Sequence, residues 1–172
     1  MRRRRALPVV ALVLVALAVA VAAAPALAAE WGEISPGTTT MTAVRARHGA
    51  PTRTTSQKVD GRDTAVWVYE GAQAPVGARR MTVEFGLMTA GGYRADVVRD
   101  FRLELTPGAF NRAAVLSGWG TPTRVSNPGQ KPPTFIYDSG LVVTFDDNEG
   151  WIAETMLFTP PQPSSPPAAK RP

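Results

Sequence analysis

The chain repeats itself, and no other feature restricts its possible folds as much. Ser35-Pro36-Gly37 returns 71 residues later as Thr106-Pro107-Gly108. At the same offset Val44 answers to Val115, and Gly49-Ala50-Pro51-Thr52-Arg53 to Gly120-Thr121-Pro122-Thr123-Arg124. With a shrinking offset, Trp67-Val68-Tyr69 is followed by Phe135-Ile136-Tyr137, and Val83-Glu84-Phe85 by Val143-Thr144-Phe145. Matches that keep their order mark one structural unit written twice, with loops of different length.

Each copy reads as a short helix followed by strands. Thr40 and Asn111 occupy equivalent places and are good N-caps, because their side-chain oxygens accept from free N–H groups of the first turn. The helices should run to Arg47 in the first copy and to Ser117 or Gly118 in the second. Gly49 and Gly120 stop them, since glycine reaches the C-terminal cap conformation without a side-chain clash, and Pro51 and Pro122 forbid continuation. Val44 with His48, and Val115 with Trp119, form the i and i+4 inward stripes.

Beyond the helices the pattern has period two. Met81, Val83 and Phe85 alternate with Thr82 and Glu84, and Leu141, Val143 and Phe145 continue the same theme. Ala95, Val97, Phe101, Leu103 and Leu105 are expected on one face of a longer strand, with Asp96, Asp100, Arg102 and Glu104 on the other. One apolar and one polar face predict antiparallel strands covered by the helix on one side and open to water or a partner on the other. Asp146 to Gly150 is expected as the hairpin turn between the last two strands. The predicted class is α+β, as two tandem helix-plus-antiparallel-sheet units. Residues 1–28 would be a signal peptide, 29–34 a linker, 35–105 the first repeat, 106–159 the second, and 160–172 a disordered Pro-rich tail.

Gly37, Thr40, Val44, Gly49, Pro51, Trp67, Tyr69, Val83 and Phe85 together resemble the BamE-like unit, the SmpA/OmlA domain of outer-membrane assembly lipoproteins. The pattern recurs at Gly108, Asn111, Val115, Gly120, Pro122, Phe135, Tyr137, Val143 and Phe145, so the resemblance covers residues 35–159. The tandem is similar to the β-lactamase-inhibitor-protein architecture, which implies two lobes with a concave, protein-gripping face. These motif residues are caps, stops and core, and speak for fold more than for function. The chain departs from the family in being doubled and in lacking the lipobox cysteine.

The first residues carry their own signal. Arg2 to Arg5, the apolar run Ala6 to Ala24, and Ala26-Leu27-Ala28 have the order of a secretory signal peptide, with cleavage expected after Ala28. An uncleaved anchor is the alternative, because a run of about 19 residues just spans a bilayer. Four of the 19 basic residues lie in that leader, leaving 15 against 14 acidic ones, so the high isoelectric point is no argument for nucleic acid or an anionic membrane. With 0 cysteines the chain has no disulfide, no thiol chemistry and no lipoprotein lipid anchor. Its expected location is outside the cytoplasm, periplasmic or secreted, with membrane association only if the leader stays attached.

No reactive constellation stands out. His48 is the single histidine, and its repeat partner is Trp119, so the position suits packing. Zinc sites are built mostly from Cys and His, which are absent or single here. Asp146, Asp147 and Glu149 sit in too short a turn for a calcium loop. No Gly-x-Ser-x-Gly elbow occurs. The expectation is therefore a non-enzyme, with no catalytic, cofactor or metal residues and no cofactor. It would be a protein-binding or scaffold domain of the bacterial cell envelope that recognises its partner by the exposed sheet face and edge strands, and the resemblance implies a likeness to an outer-membrane assembly factor. The alternative is a proteinaceous inhibitor of a secreted or envelope enzyme, with Glu70 to Arg80 as the inserted loop. Trp67, Tyr69, Phe135 and Tyr137 are the candidate protein-binding residues, either lining a shared concave surface or packing in the core. Of these, Tyr69 and Tyr137 are the pair expected to reach solvent, since Tyr and Trp dominate protein interfaces.

Overall fold

The computed structural model describes residues 28–126, 133–146 and 151–161. Most of the leader, most of the Pro-rich tail, and residues 147–150 of the expected hairpin turn lie outside the described residues. Helix α1 spans Met41–His48 and α2 spans Arg112–Trp119. Both caps are as the sequence requires. Thr40 Oγ1 accepts from Ala43 N at 3.4 Å, and Asn111 Oδ1 accepts from Ala114 N at 2.9 Å. Gly49 and Gly120 close the helices at φ 77° and 76° with ψ near extended, a combination essentially confined to glycine.

The eight strands are β1 (Arg53–Val59), β2 (Arg62–Glu70), β3 (Ala78–Thr89), β4 (Gly92–Leu105), β5 (Arg124–Ser126), β6 (Thr134–Ile136), β7 (Leu141–Phe145) and β8 (Ala153–Phe158). They form one antiparallel sheet in the order β1-β2-β3-β4-β8-β7-β6-β5. This corrects the expected fold class. The described residues form one eight-stranded antiparallel sheet carrying two short helices, not two tandem helix-plus-sheet units. The join is β4 with β8, where Phe101 to Glu104 pair with Phe158 to Thr155. There the Phe101 and Phe158 rings stack at 4.4 Å, both fully buried. The physical reason is that each segment alone would leave its longest apolar strand as a bare edge, which pairing removes.

The largest buried strand side chains share the helix side of the sheet: Tyr69 and Trp67, Met81, Val83 and Phe85, Phe101 and Leu103, Met156 and Phe158, Leu141, Val143 and Phe145. Val44 of α1 and Val115 of α2 are fully buried against them. The four aromatic residues expected as protein-binding candidates lie in this core. Trp67 is 8% exposed, Tyr69 0%, Phe135 2% and Tyr137 5%. The expectation that the two tyrosines reach solvent is thus corrected, because each spends its hydroxyl inside its own half. Tyr69 Oη donates to Gly49 O at 3.3 Å and Tyr137 Oη to Gly120 O at 3.1 Å, tying strand to helix stop.

Strand β4 departs from simple alternation. Its pairing with β3 slips between Glu84 and Phe85 and again between Phe85 and Leu87. Asp100 faces Glu84 while Val98 faces Phe85, so Arg99 is an extra, bulged residue. Val97 and Val98 are therefore both buried, and Ala95, expected on the apolar face, is exposed. The bulge also brings Tyr93 over Gly86. A side chain at Gly86 would collide with the Tyr93 hydroxyl, and its φ of 101° suits glycine alone. Residues 29–34, expected as a linker, pack on the body: Ala29 donates to Ser139 O at 2.8 Å, and Ile34 is 1% exposed.

Candidate functional site

Three places carry exposed or unusual chemistry. The first surrounds His48, the last residue of α1. Its ring stacks on Trp31 at 6.5 Å and meets the edge of Tyr69 at 6.0 Å. Burial holds its pKa below the ordinary 6.5, with the Arg47 charge acting the same way, while the Gly32 backbone and the Glu33 carboxylate pull partly back. The half-buried imidazole is packed between two rings, and its Nε2 is buried with no hydrogen-bond partner among the described residues. Among the described residues no three His, Cys, Asp or Glu side chains converge as metal ligands.

The second is a cleft of about 570 Å³ between the start of α1 and the β1–β2 hairpin. Met41, Ala65 and Ala95 form its apolar part, and Ser56, Lys58 and Asp63 its polar wall. It exists because small residues occupy Ser56, Ala65 and Ala95, where neighbouring helix-side positions carry Trp67 and Phe85. Lys58 and Asp63 neutralise each other at its rim at 2.8 Å.

The third is the sheet face opposite the helices. Strand register aligns one residue from every strand into a row across it: Arg53, Val68, Thr82, Arg102, Leu157, Val142, Ile136 and Arg124. The adjoining row runs Glu70, Arg80, Glu104, Thr155, Thr144, Thr134 and Ser126. On the β1–β4 side the charges satisfy one another. Arg80 donates to Glu70 Oε2 at 2.9 Å and to Glu104 Oε1 at 3.2 Å, which raises its pKa further. Arg99 reaches both Glu84 and Asp100. On β8, β7 and β6 these two rows are uncharged, made of half-buried aliphatic and threonine side chains, and Arg124 and Ser126 of β5 end them. Neither helix covers any of this face.

The inserted loop expected after Glu70 forms a short 3-10 turn at Gly71–Gln73 and then a hydrogen-bonded turn, with Ala78 N donating to Pro75 O at 3.0 Å. Gly77 at φ 86° gives this turn type II geometry, and Val76 at its tip is 95% exposed. The sequence points to that loop and to an exposed sheet face in general terms, but not to which residues make up the open face. The sequence places Arg102 on polar surface; what it does not show is that Ile136, Val142 and Leu157 continue the row of Arg102, because that needs the β4–β8 pairing of residues more than 50 positions apart. The one local trace was their alternation with Phe135, Val143 and Met156.

No family model matches the chain, and no curated protein matches it. Among solved structures the chain is similar to a DUF4309 family protein, YjgB, from Bacillus subtilis. The identity is 15% and the TM-score 0.43, over 74% of this chain and 82% of that one.

Proposed function

We propose that the protein is an exported, non-enzymatic binding or scaffold module of the bacterial cell envelope that engages a partner protein through the open face of its sheet. The observation that carries this reading is the uncovered face itself, which spans eight strands and keeps aliphatic side chains in reach of solvent. A sheet face is normally buried against a second layer, and here the helices supply that layer on one side only. The leader-like residues 1–28 support export. The candidate surface moves from the four buried rings to the face behind them.

A second reading, inhibition of a secreted or envelope enzyme, is favoured by one observation, the rigid turn that presents Val76 to solvent. One experiment separates the two. The immobilised protein is exposed to an envelope extract beside its Val142→Glu and Val76→Asp variants, with folding checked by urea melts. Proteins retained by the parent, lost with Val142→Glu and kept with Val76→Asp support the open-face reading. Loss with Val76→Asp alone transfers support to the inhibitor reading. Retention indifferent to both substitutions, or no retention, refutes both.

A further inference from the structure

We infer that the β5–β8 half of the open face is a docking strip for a protein segment with an apolar centre and a carboxylate at each end; this rests on the open-face reading above. The strip is short and chemically simple. Leu157, Val142 and Ile136 stand side by side on β8, β7 and β6, with Thr155, Thr144 and Thr134 beside them. In the same row the strip is bracketed by Arg102 of β4 and Arg124 of β5. Both arginines are exposed; their backbones pair in the sheet, but among the described residues neither guanidinium makes an ion pair or hydrogen bond. That sets them apart from Arg53, Arg79, Arg80 and Arg99 on the same sheet, whose guanidiniums are all matched to carboxylates. Two unmatched cations at the ends of an uncharged aliphatic strip define their complement: an apolar stretch with an anion at either end.

The register also fixes the length. From Arg102 to Arg124 there are four strand spacings, about 19 Å at about 4.8 Å each. An extended segment covers that distance in about six residue-to-residue steps of about 3.3 Å, that is about seven residues. With side chains alternating between faces, the residues that meet the sheet are then the first, third, fifth and seventh. Acids belong at the first and seventh, aliphatic residues at the third and fifth. A guanidinium recognises a carboxylate through paired N–H donors, so the ends confer orientation and the aliphatic centre supplies burial.

The test uses the full-length protein and a capped probe peptide, Glu-Thr-Val-Thr-Val-Thr-Glu, titrated with binding followed by amide chemical shifts. The expected result is perturbation confined to β5–β8, with affinity at least tenfold weaker in Arg102→Glu and in Arg124→Glu. The double variant should instead prefer the Lys-ended peptide. Both arginines are exposed, so unchanged urea midpoints will show that the fold is intact. The inference is overturned if the Lys-ended peptide binds the parent equally well, if a probe with Ser in place of Val binds as tightly, or if the probe does not bind. The first outcome denies the charge match and the second the aliphatic strip. If envelope proteins are retained equally by the parent and the double variant, this strip is discarded while protein binding stands. Loss of that retention with Val142→Glu but not with the arginine variants has the same meaning.

Discussion

Removing the ring of Phe158 tests whether the two halves of the chain are one cooperative structure. Phe158 is fully buried on β8, stacked on Phe101 across the β4–β8 join and in edge contact with Trp119 of α2 at 6.2 Å. Truncating a buried phenylalanine to alanine costs about 3–5 kcal/mol, through lost transfer energy and the cavity left behind. With a urea slope of about 2 kcal/mol/M, the midpoint should fall by about 2 M. Domains of this size have about 5–15 kcal/mol in total, so Phe158→Leu, expected to cost about 1–1.5 kcal/mol, is the safer companion. The informative assay is native-state hydrogen exchange, read on β3 and β7 peptides separately. These strands lie on opposite sides of the join. Because Phe101 and Phe158 belong to one continuous core, protection in β3 and β7 should decline together and by the same free energy in each variant. If β7 loses protection while β3 keeps its parental value, the halves unfold independently and the single-sheet argument fails.

Three further outcomes follow from local geometry. Tyr69→Phe and Tyr137→Phe each remove one hydrogen bond to a helix-stopping carbonyl and should each cost about 1 kcal/mol by urea denaturation, with additivity because the sites belong to different halves. Gly120→Ala, which forces a side chain into a positive-φ conformation, should cost about 1–3 kcal/mol in the same assay, and Gly49→Ala the same. His48 supplies a pH dependence: its folded pKa is below the unfolded value of 6.5, so the unfolded state binds more protons between the two values. Stability should be level above about pH 6.5, fall as pH drops from there toward the folded pKa, and lose that step in His48→Gln; a thermal melt series that is unaltered by the substitution refutes the assignment.

What could be read from the sequence was whatever is written in neighbouring residues. The N-caps, glycine stops and prolines each involve residues within one turn, and Thr40, Asn111, Gly49 and Gly120 act in the structure as their spacing predicts. The period-two pattern placed Met81, Val83, Phe85, Leu141, Val143 and Phe145 on a buried face correctly. Two things escaped for physical reasons. Alternation says that a strand has two faces but not which of them a helix covers. Trp67, Tyr69, Phe135 and Tyr137 therefore suited an interface as well as a core until the helices were in place. Pairing between β4 and β8 joins residues more than 50 positions apart, and no local preference encodes it. The bulge at Arg99 is a third case, since an inserted residue reverses the alternation beyond it without changing composition.

The division of charge between the two faces makes the open one more than leftover surface. Solvated strand faces commonly carry charges that alternate or pair, and the β1–β4 side follows that habit: Glu70, Arg80 and Glu104 form one set, Glu84, Arg99 and Asp100 another. Exposed pairs of this kind contribute little to stability, but they keep a sheet surface from associating indiscriminately. Across the join the same rows continue with Thr155, Thr144 and Thr134 beside Leu157, Val142 and Ile136, and no charged residue interrupts them before Arg124 on the last strand. If the face served solubility alone, the β5–β8 side would gain from the same acid–base pattern, and β-sheet geometry would permit it at every one of these positions. On the proposed reading, an uncharged strip beside an internally neutralised one confines association to a defined patch. Arg102 and Arg124, whose guanidiniums are unmatched among the described residues, make that proposed patch selective, because a partner lacking carboxylates there must desolvate two guanidiniums without compensation.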